Sequence, residues 1–165
     1  MDRAVGLVTD NLPNEDYAFL AGNTLTCSSD QMLLLLTLLY QSDSNGFLTL
    51  EQAADCFMKF YKLRTEAGLT PEKSYNSRRA IAEIPDVSRS KMRQMLKTSP
   101  FPRFERQGLL DISEDNQYFI LNPALLAALT PVSKLALRAI AIQRIAEHFG
   151  EETLGVEGMV KKAFG

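Results

Sequence analysis

Along this chain the apolar positions change their period several times, and each change marks a new element. From Met32 to Tyr40 almost every residue is apolar (MLLLLTLLY). So dense a run predicts a helix from about Gln31 to Gln41 that is covered on most sides, with Ser29 or Asp30 as its N-cap. Ser42 to Gly46 is turn material, and Phe47 and Leu48 fit a very short strand. Thr49-Leu-Glu-Gln52 then has the form of a capping box, in which a hydroxyl and a side-chain amide satisfy the free N–H groups of a helix start. The helix it opens carries Ala53, Phe57, Phe60, Tyr61 and Arg64 at steps of three and four, and Gly68 ends it.

Either side of this well-patterned stretch the signal is weaker. Residues 1–29 are rich in Gly, Asn, Asp and Thr with brief apolar patches, as expected of an N-terminal arm. From Leu69 to Pro85 the pattern weakens again, although Thr70-Pro71 can start a short helix running through Arg78 to Ile84. Asp86-Val-Ser88 restarts a helix with Met92, Met95 and Leu96 on its inner side, and Pro100 should stop it and force an extended path, with Phe101 and Phe104 anchored in the core. Leu109 to Ser113 and Tyr118 to Asn122, joined by Glu114-Asp-Asn-Gln117, predict a hairpin. Asn122 caps a short helix with Pro123 at its first position.

The last third is the most regular. Pro131 opens a long helix in which Val132, Leu135, Ala139, Ile142, Ala146 and Phe149 recur at alternating steps of three and four, while Lys134, Arg138 and Arg144 lie elsewhere. Such a stripe needs a cover, either the rest of the domain or an interface with a second copy or a partner protein. Glu151 to Phe164 predicts one further helix, loosened by Gly155 and Gly158. Three regions result: an arm over 1–29, a domain over 30–130 and a helical extension over 131–165.

At 165 residues with 45% hydrophobic content, the chain can bury one ordinary core. Its longest apolar run is about half of what a bilayer crossing needs, and its first ten residues lack the basic flank and apolar stretch of a secretory signal, so a cytoplasmic location is expected. Cys27 and Cys56 have neither metal-like spacing nor a partner cluster and are expected as reduced, packed thiols. The net charge of −2 conceals an uneven distribution. Between Ser77 and Gln107 stand Arg78, Arg79, Arg89, Lys91, Arg93, Lys97, Arg103 and Arg106 against three anions, a local +5, while the remainder carries −7. A basic middle in an acidic chain is what a phosphate-facing surface requires; a merely solvated helical face would read the same way.

The segment Asp86-Val-Ser-Arg-Ser-Lys-Met-Arg-Gln-Met-Leu-Lys97, followed by Gly108-Leu-Leu and by Tyr118-Phe-Ile-Leu-Asn122, resembles the winged helix-turn-helix superfamily. The resemblance spans Gln31 to about Leu129, some three-fifths of the chain. It implies a mainly α fold with a small β-hairpin wing and extra C-terminal helices, and a helix that reads duplex DNA. Ser88, Arg89 and Ser90 would then lie at the groove, Arg93 and Gln94 one turn on, and Lys97 near the backbone, with Arg103 and Arg106 clamping phosphate beside it and Arg78, Arg79 and Lys91 also among the nucleic-acid-binding residues. Departures are visible too: about twenty residues separate the preceding helix from Ser88, and the wing tip is acidic where a minor-groove wing would carry cations. The apolar Met32 to Tyr40 helix and the Pro-Phe-Pro-Arg-Phe run before a Gly-Leu-Leu strand also look like non-catalytic winged modules of prokaryotic restriction and phage-defence proteins.

Two other chemistries bear on the sequence. Gln41 to Gln52 resembles an EF-hand calcium loop, with Gly46 at the turn, Leu48 at the apolar position, and Asp43 and Asn45 where oxygen ligands belong. Its two anchoring positions are neutral amides, so a turn followed by a capped helix is the expected reading, and a calcium-responsive helix pair ranks third. With one histidine, His148 near a helix end, and no glycine-rich phosphate loop, the usual signatures of hydrolases and nucleotide-binding proteins are missing, so no catalytic residue, metal or cofactor is expected. The leading expectation is DNA recognition by a regulator or a non-catalytic subunit of a nucleoprotein complex. The alternative is an interaction module docking onto a larger ATPase or nuclease, with Val132, Leu135, Ala139, Ile142 and Phe149 as its interface.

Overall fold

A computed structural model describes residues 30–69 and 88–165. Arg78, Arg79 and Cys27, the N-terminal arm and the helix expected after Thr70 lie outside the described residues. The elements are α1 (Asp30–Gln41), β1 (Phe47–Thr49), α2 (Leu50–Glu66), α3 (Arg89–Thr98), α4 (Pro100–Arg106), β2 (Leu110–Ile112), β3 (Tyr118–Leu121), α5 (Pro123–Ala128), α6 (Pro131–Phe149) and α7 (Thr153–Phe164). The protein is mainly helical, with one small antiparallel sheet in the order β1-β3-β2.

Local chemistry accounts for most boundaries. Asp43 closes the α1–β1 turn, its carboxylate accepting from the backbone N–H of Asn45 and Phe47 at 2.8 and 3.0 Å. Gly46 adopts φ +84 there, and a Cβ would stand 3.1 Å from the Leu126 side chain, so both backbone conformation and space call for glycine. The capping box at α2 forms as expected: Gln52 N–H donates to Thr49 Oγ1 at 2.9 Å and Thr49 N–H to Gln52 Oε1 at 3.1 Å. The loop that resembles a calcium site thus spends the Asp43 carboxylate and the Gln52 amide on its own backbone.

The sheet is more than a hairpin. Leu110 pairs with Leu121 and Ile112 with Phe119 in the β2–β3 pairing, and β1 adds a third strand with Leu48 opposite Phe119. Its inner face delivers Leu48, Leu110, Phe119 and Leu121 to the core. α1 runs through the middle, buried from Asp30 to Leu39, and α2, α4, α6 and α7 pack around it. Its two ends are tied down: Ser99 Oγ donates to Asp30 at 2.6 Å and Gln41 Nε2 donates to the Phe164 carbonyl at 2.6 Å.

Two expectations need correction. Pro100 does not send the chain into an extended path; it sits at the first turn of α4, where its missing N–H would have had no intrahelical partner. Phe101 and Phe104 remain core anchors, and Phe101 stacks at 5.3 Å on Phe119. The stripe on α6 is rotated: the inward face is Leu137, Ala141, Ile142, Ile145 and Ala146, whereas Val132 and Leu135 are 77% and 61% exposed. Ala139 also faces out, and Phe149 is half-buried. Beyond Pro131, Val156, Val160, Ala163 and Phe164 belong to the same apolar core as α1 and α2. Among the described residues no helix is long and apolar enough to cross a membrane.

Candidate nucleic-acid interface

α3 begins at Ser88, whose hydroxyl oxygen accepts from Lys91 N–H at 3.1 Å. Met92 and Leu96, one turn apart, are fully buried, and Met95 packs partly against the same core. At 100° per residue this inward row sends Ser90, Gln94 and Thr98 to the opposite side; all three are exposed. Lys91 and Lys97 flank that outer row, Lys91 exposed and Lys97 half-buried, and neither has an ion-pair partner among the described residues. The outward surface of α3 is therefore a strip of hydroxyls and an amide between two ammonium groups.

Arg89 and Arg93 are placed differently. They lie on the flank of α3 that runs along α2, and there they meet carboxylates: Arg89 Nε stands 2.8 Å from Asp55 and Arg93 Nη1 3.8 Å from Glu51. Sequence reading assigned both arginines to a groove and gave the two acids no role. The signal was present, since Glu51 and Asp55 are four residues apart on α2 and Arg89 and Arg93 four apart on α3. Pairing them requires knowing that the two helices lie side by side.

Arg103 and Arg106 belong to α4, the first half-buried and the second exposed, so they do not extend the α3 row on a continuous strap. The β2–β3 turn carries no cation. Asp115 accepts from Ser113 Oγ at 2.6 Å and from Gln117 N–H at 3.1 Å, and these bonds hold its carboxyl below the ordinary range. Asn116 sits at φ 58, and Glu114, Asp115, Asn116 and Gln117 are all exposed. This tip is built to close a turn and would repel phosphate.

Elsewhere, Arg64 is the largest surprise. Its side chain is 0% exposed, sandwiched 3.7 Å over the Phe149 ring, and makes a two-pronged pair with Glu151 at 3.0 and 2.6 Å. It locks α2 to the α6–α7 corner. A second feature is an open groove of about 310 Å³ where α1, α6 and α7 meet, lined by Tyr40, Leu135, Arg138, Ile142, Glu157 and Lys161. Arg138 lies 4.2 Å over the Tyr40 ring there, and Lys161 pairs with Glu157 at 3.5 Å. His148 stands edge-on to Phe149 at 5.2 Å in the last turn of α6. Among the described residues no three His, Cys, Asp or Glu side chains gather as a metal site. No protein-family model, curated protein or solved structure matches the chain.

Proposed function

We propose that this protein binds duplex DNA through the outer face of α3, by recognition without bond-breaking. The observation that carries the reading is the division of α3 into two faces: Met92 and Leu96 anchor it, while Ser90, Lys91, Gln94 and Lys97 are presented outward. A helix held by its inner row and offering hydroxyls, an amide and ammonium groups on its outer row suits base edges flanked by phosphates. Among the described residues the order is helix, strand, three helices, hairpin, with the first strand pairing to the last; beside a winged helix α4 is the extra element, and the strand pairing supports the same reading. Docking would rest on α3 alone, since the acidic tip would keep the wing away from the backbone. Lys91→Ala with Lys97→Ala tests this by mobility shift. Binding should weaken roughly tenfold or more at low salt, and the salt slope should shrink by about 0.9 per lost phosphate contact, with melting temperature unchanged. Equal retention by both proteins would defeat the proposal.

A second reading has its own observation. Val132 and Leu135 project from α6 beside the groove that Arg138 lines, and two large apolar side chains this exposed next to a guanidinium suit a protein partner whose apolar segment carries a carboxylate. In that reading the module docks, and α3 contributes charge to a surface with another role.

A further inference from the structure

Glu51 and Asp55 are one turn apart on α2, Arg93 and Arg89 one turn apart on α3, and the two helices bring them together as a ladder of two ion pairs at 3.8 and 2.8 Å. Both rungs are wet: the side chains are 54% and 42% exposed for Arg89 and Asp55, and 30% and 61% for Arg93 and Glu51. Exposed pairs of this kind add little to stability, and Met92 and Leu96 already hold α3 in place. The ladder therefore has little structural work to do. It does occupy the only two arginines of the basic helix.

Building on the DNA-binding reading, we infer that Glu51 and Asp55 are specificity-determining residues, internal rivals of phosphate that suppress binding to random-sequence duplex. The argument is one of counterions. A bare guanidinium that meets a DNA phosphate releases a condensed cation, and that release drives non-specific affinity. A guanidinium already seated on a carboxylate can only exchange one anion for another. The carboxylate it leaves then recruits a cation from solution, which cancels most of the gain, and it stays close to the phosphates it has been exchanged for. The exchange becomes favourable where base-edge contacts from Ser90 and Gln94 add to it. The ladder thus lowers affinity for arbitrary sequence while leaving room for a matched site.

The test is fluorescence anisotropy with a labelled random-sequence duplex, titrated at salt from about 50 to 200 mM, the range over which phosphate contacts are most visible. Wild type is compared with Glu51→Gln plus Asp55→Asn, and the same pair of changes is also made in an Arg89→Ala, Arg93→Ala background. Removing the acids should tighten binding roughly tenfold at the low-salt end and steepen the salt slope by about 1–2, and the gain should vanish once the arginines are gone. A gain of equal size without the arginines would mean that net charge alone matters, and would overturn the inference. So would unchanged affinity and slope in a wild type that binds, which would leave the DNA-binding reading standing. Absence of binding by wild type and variant alike removes both. Asp55→Asn alone gives the same comparison should the double change disturb the start of α2.

Discussion

Cys56 shows how a single side chain's surroundings set its chemistry. It lies on the inward side of α2, and burial pushes its thiol up from 9.0 to about 11, with Lys59 pulling it down slightly and Asp55 adding to the rise. Sequence spacing suggested only a packed, reduced thiol, and for this residue that is what forms. Two outcomes follow. At pH 8 the native protein should leave Cys56 unalkylated by iodoacetamide, with modification appearing on denaturation, as read by peptide mass spectrometry. The linkage is equally definite. The folded state holds its proton to a higher pH than the unfolded one, so the stability tied to this thiol is intact below about pH 9 and is lost as pH rises towards 11, by up to about 1.4 kcal/mol per unit. Cys56→Ala should flatten that alkaline fall in a denaturant series, whatever its own cost from the lost packing. Arg64 illustrates the opposite case: it appeared in the sequence as one more member of an inward row, and only the fold supplies Glu151, 87 residues away, as the partner that makes burial of its charge tolerable.

At the level of elements, what sequence makes legible is what local chemistry decides. Thr49 with Gln52, Ser88, and Asn122 with Pro123 all cap helices where their residue types say they should, because a cap is settled within four residues. The third strand, β1, was legible as a strand but not as a neighbour of β3, since that pairing joins residues about seventy positions apart. α4 was missed because Pro reads equally as the end of one helix and the first turn of the next. α6 misleads for a different reason. Its apolar residues fall into two stripes that both satisfy the helical period, and the one containing Val132, Leu135 and Ala139 lies about 150° around the axis from the one that Leu137, Ala141 and Ile145 bury. The rotation separates two experiments that sequence would have merged. Ile142→Asp places a charge in the core and should unfold the protein, a cost of several kcal/mol. Val132→Asp with Leu135→Asp should leave the melting temperature near wild type while abolishing any partner complex that uses this face, as scored by light scattering or pull-down. If the double variant melts early, the face is covered within the chain itself and the docking reading fails.

Over the whole molecule, charge and core are organised on different lengths of chain. The basic middle seen in the sequence does not become one uniform surface: Lys91 and Lys97 face out from α3, Arg89 and Arg93 turn to α2, and Arg103 and Arg106 move to α4. A count of charges along a segment cannot anticipate that, because helix geometry disperses neighbours around an axis and because the neutralising acids come from another element. The core, by contrast, runs across the boundary that the sequence suggested at Pro131. Phe164 meets Tyr40 at 5.9 Å and Phe60 at 6.2 Å, Val156 and Val160 are fully buried, and Glu151 holds the one arginine sealed inside α2. Removal of everything beyond Phe149 should therefore expose one side of α1, which is buried along almost its whole length, and strand the Arg64 charge without the Glu151 carboxylate. A chain ended after Phe149 should lose its cooperative thermal transition and bind a hydrophobic dye, while one ended after Glu152 should regain the ion pair but not the packing and still melt far below the full chain. A shortened chain that melts sharply near the full-length temperature would instead make α7 a dispensable appendage, and the single continuous core from α1 to Phe164 would have to be given up.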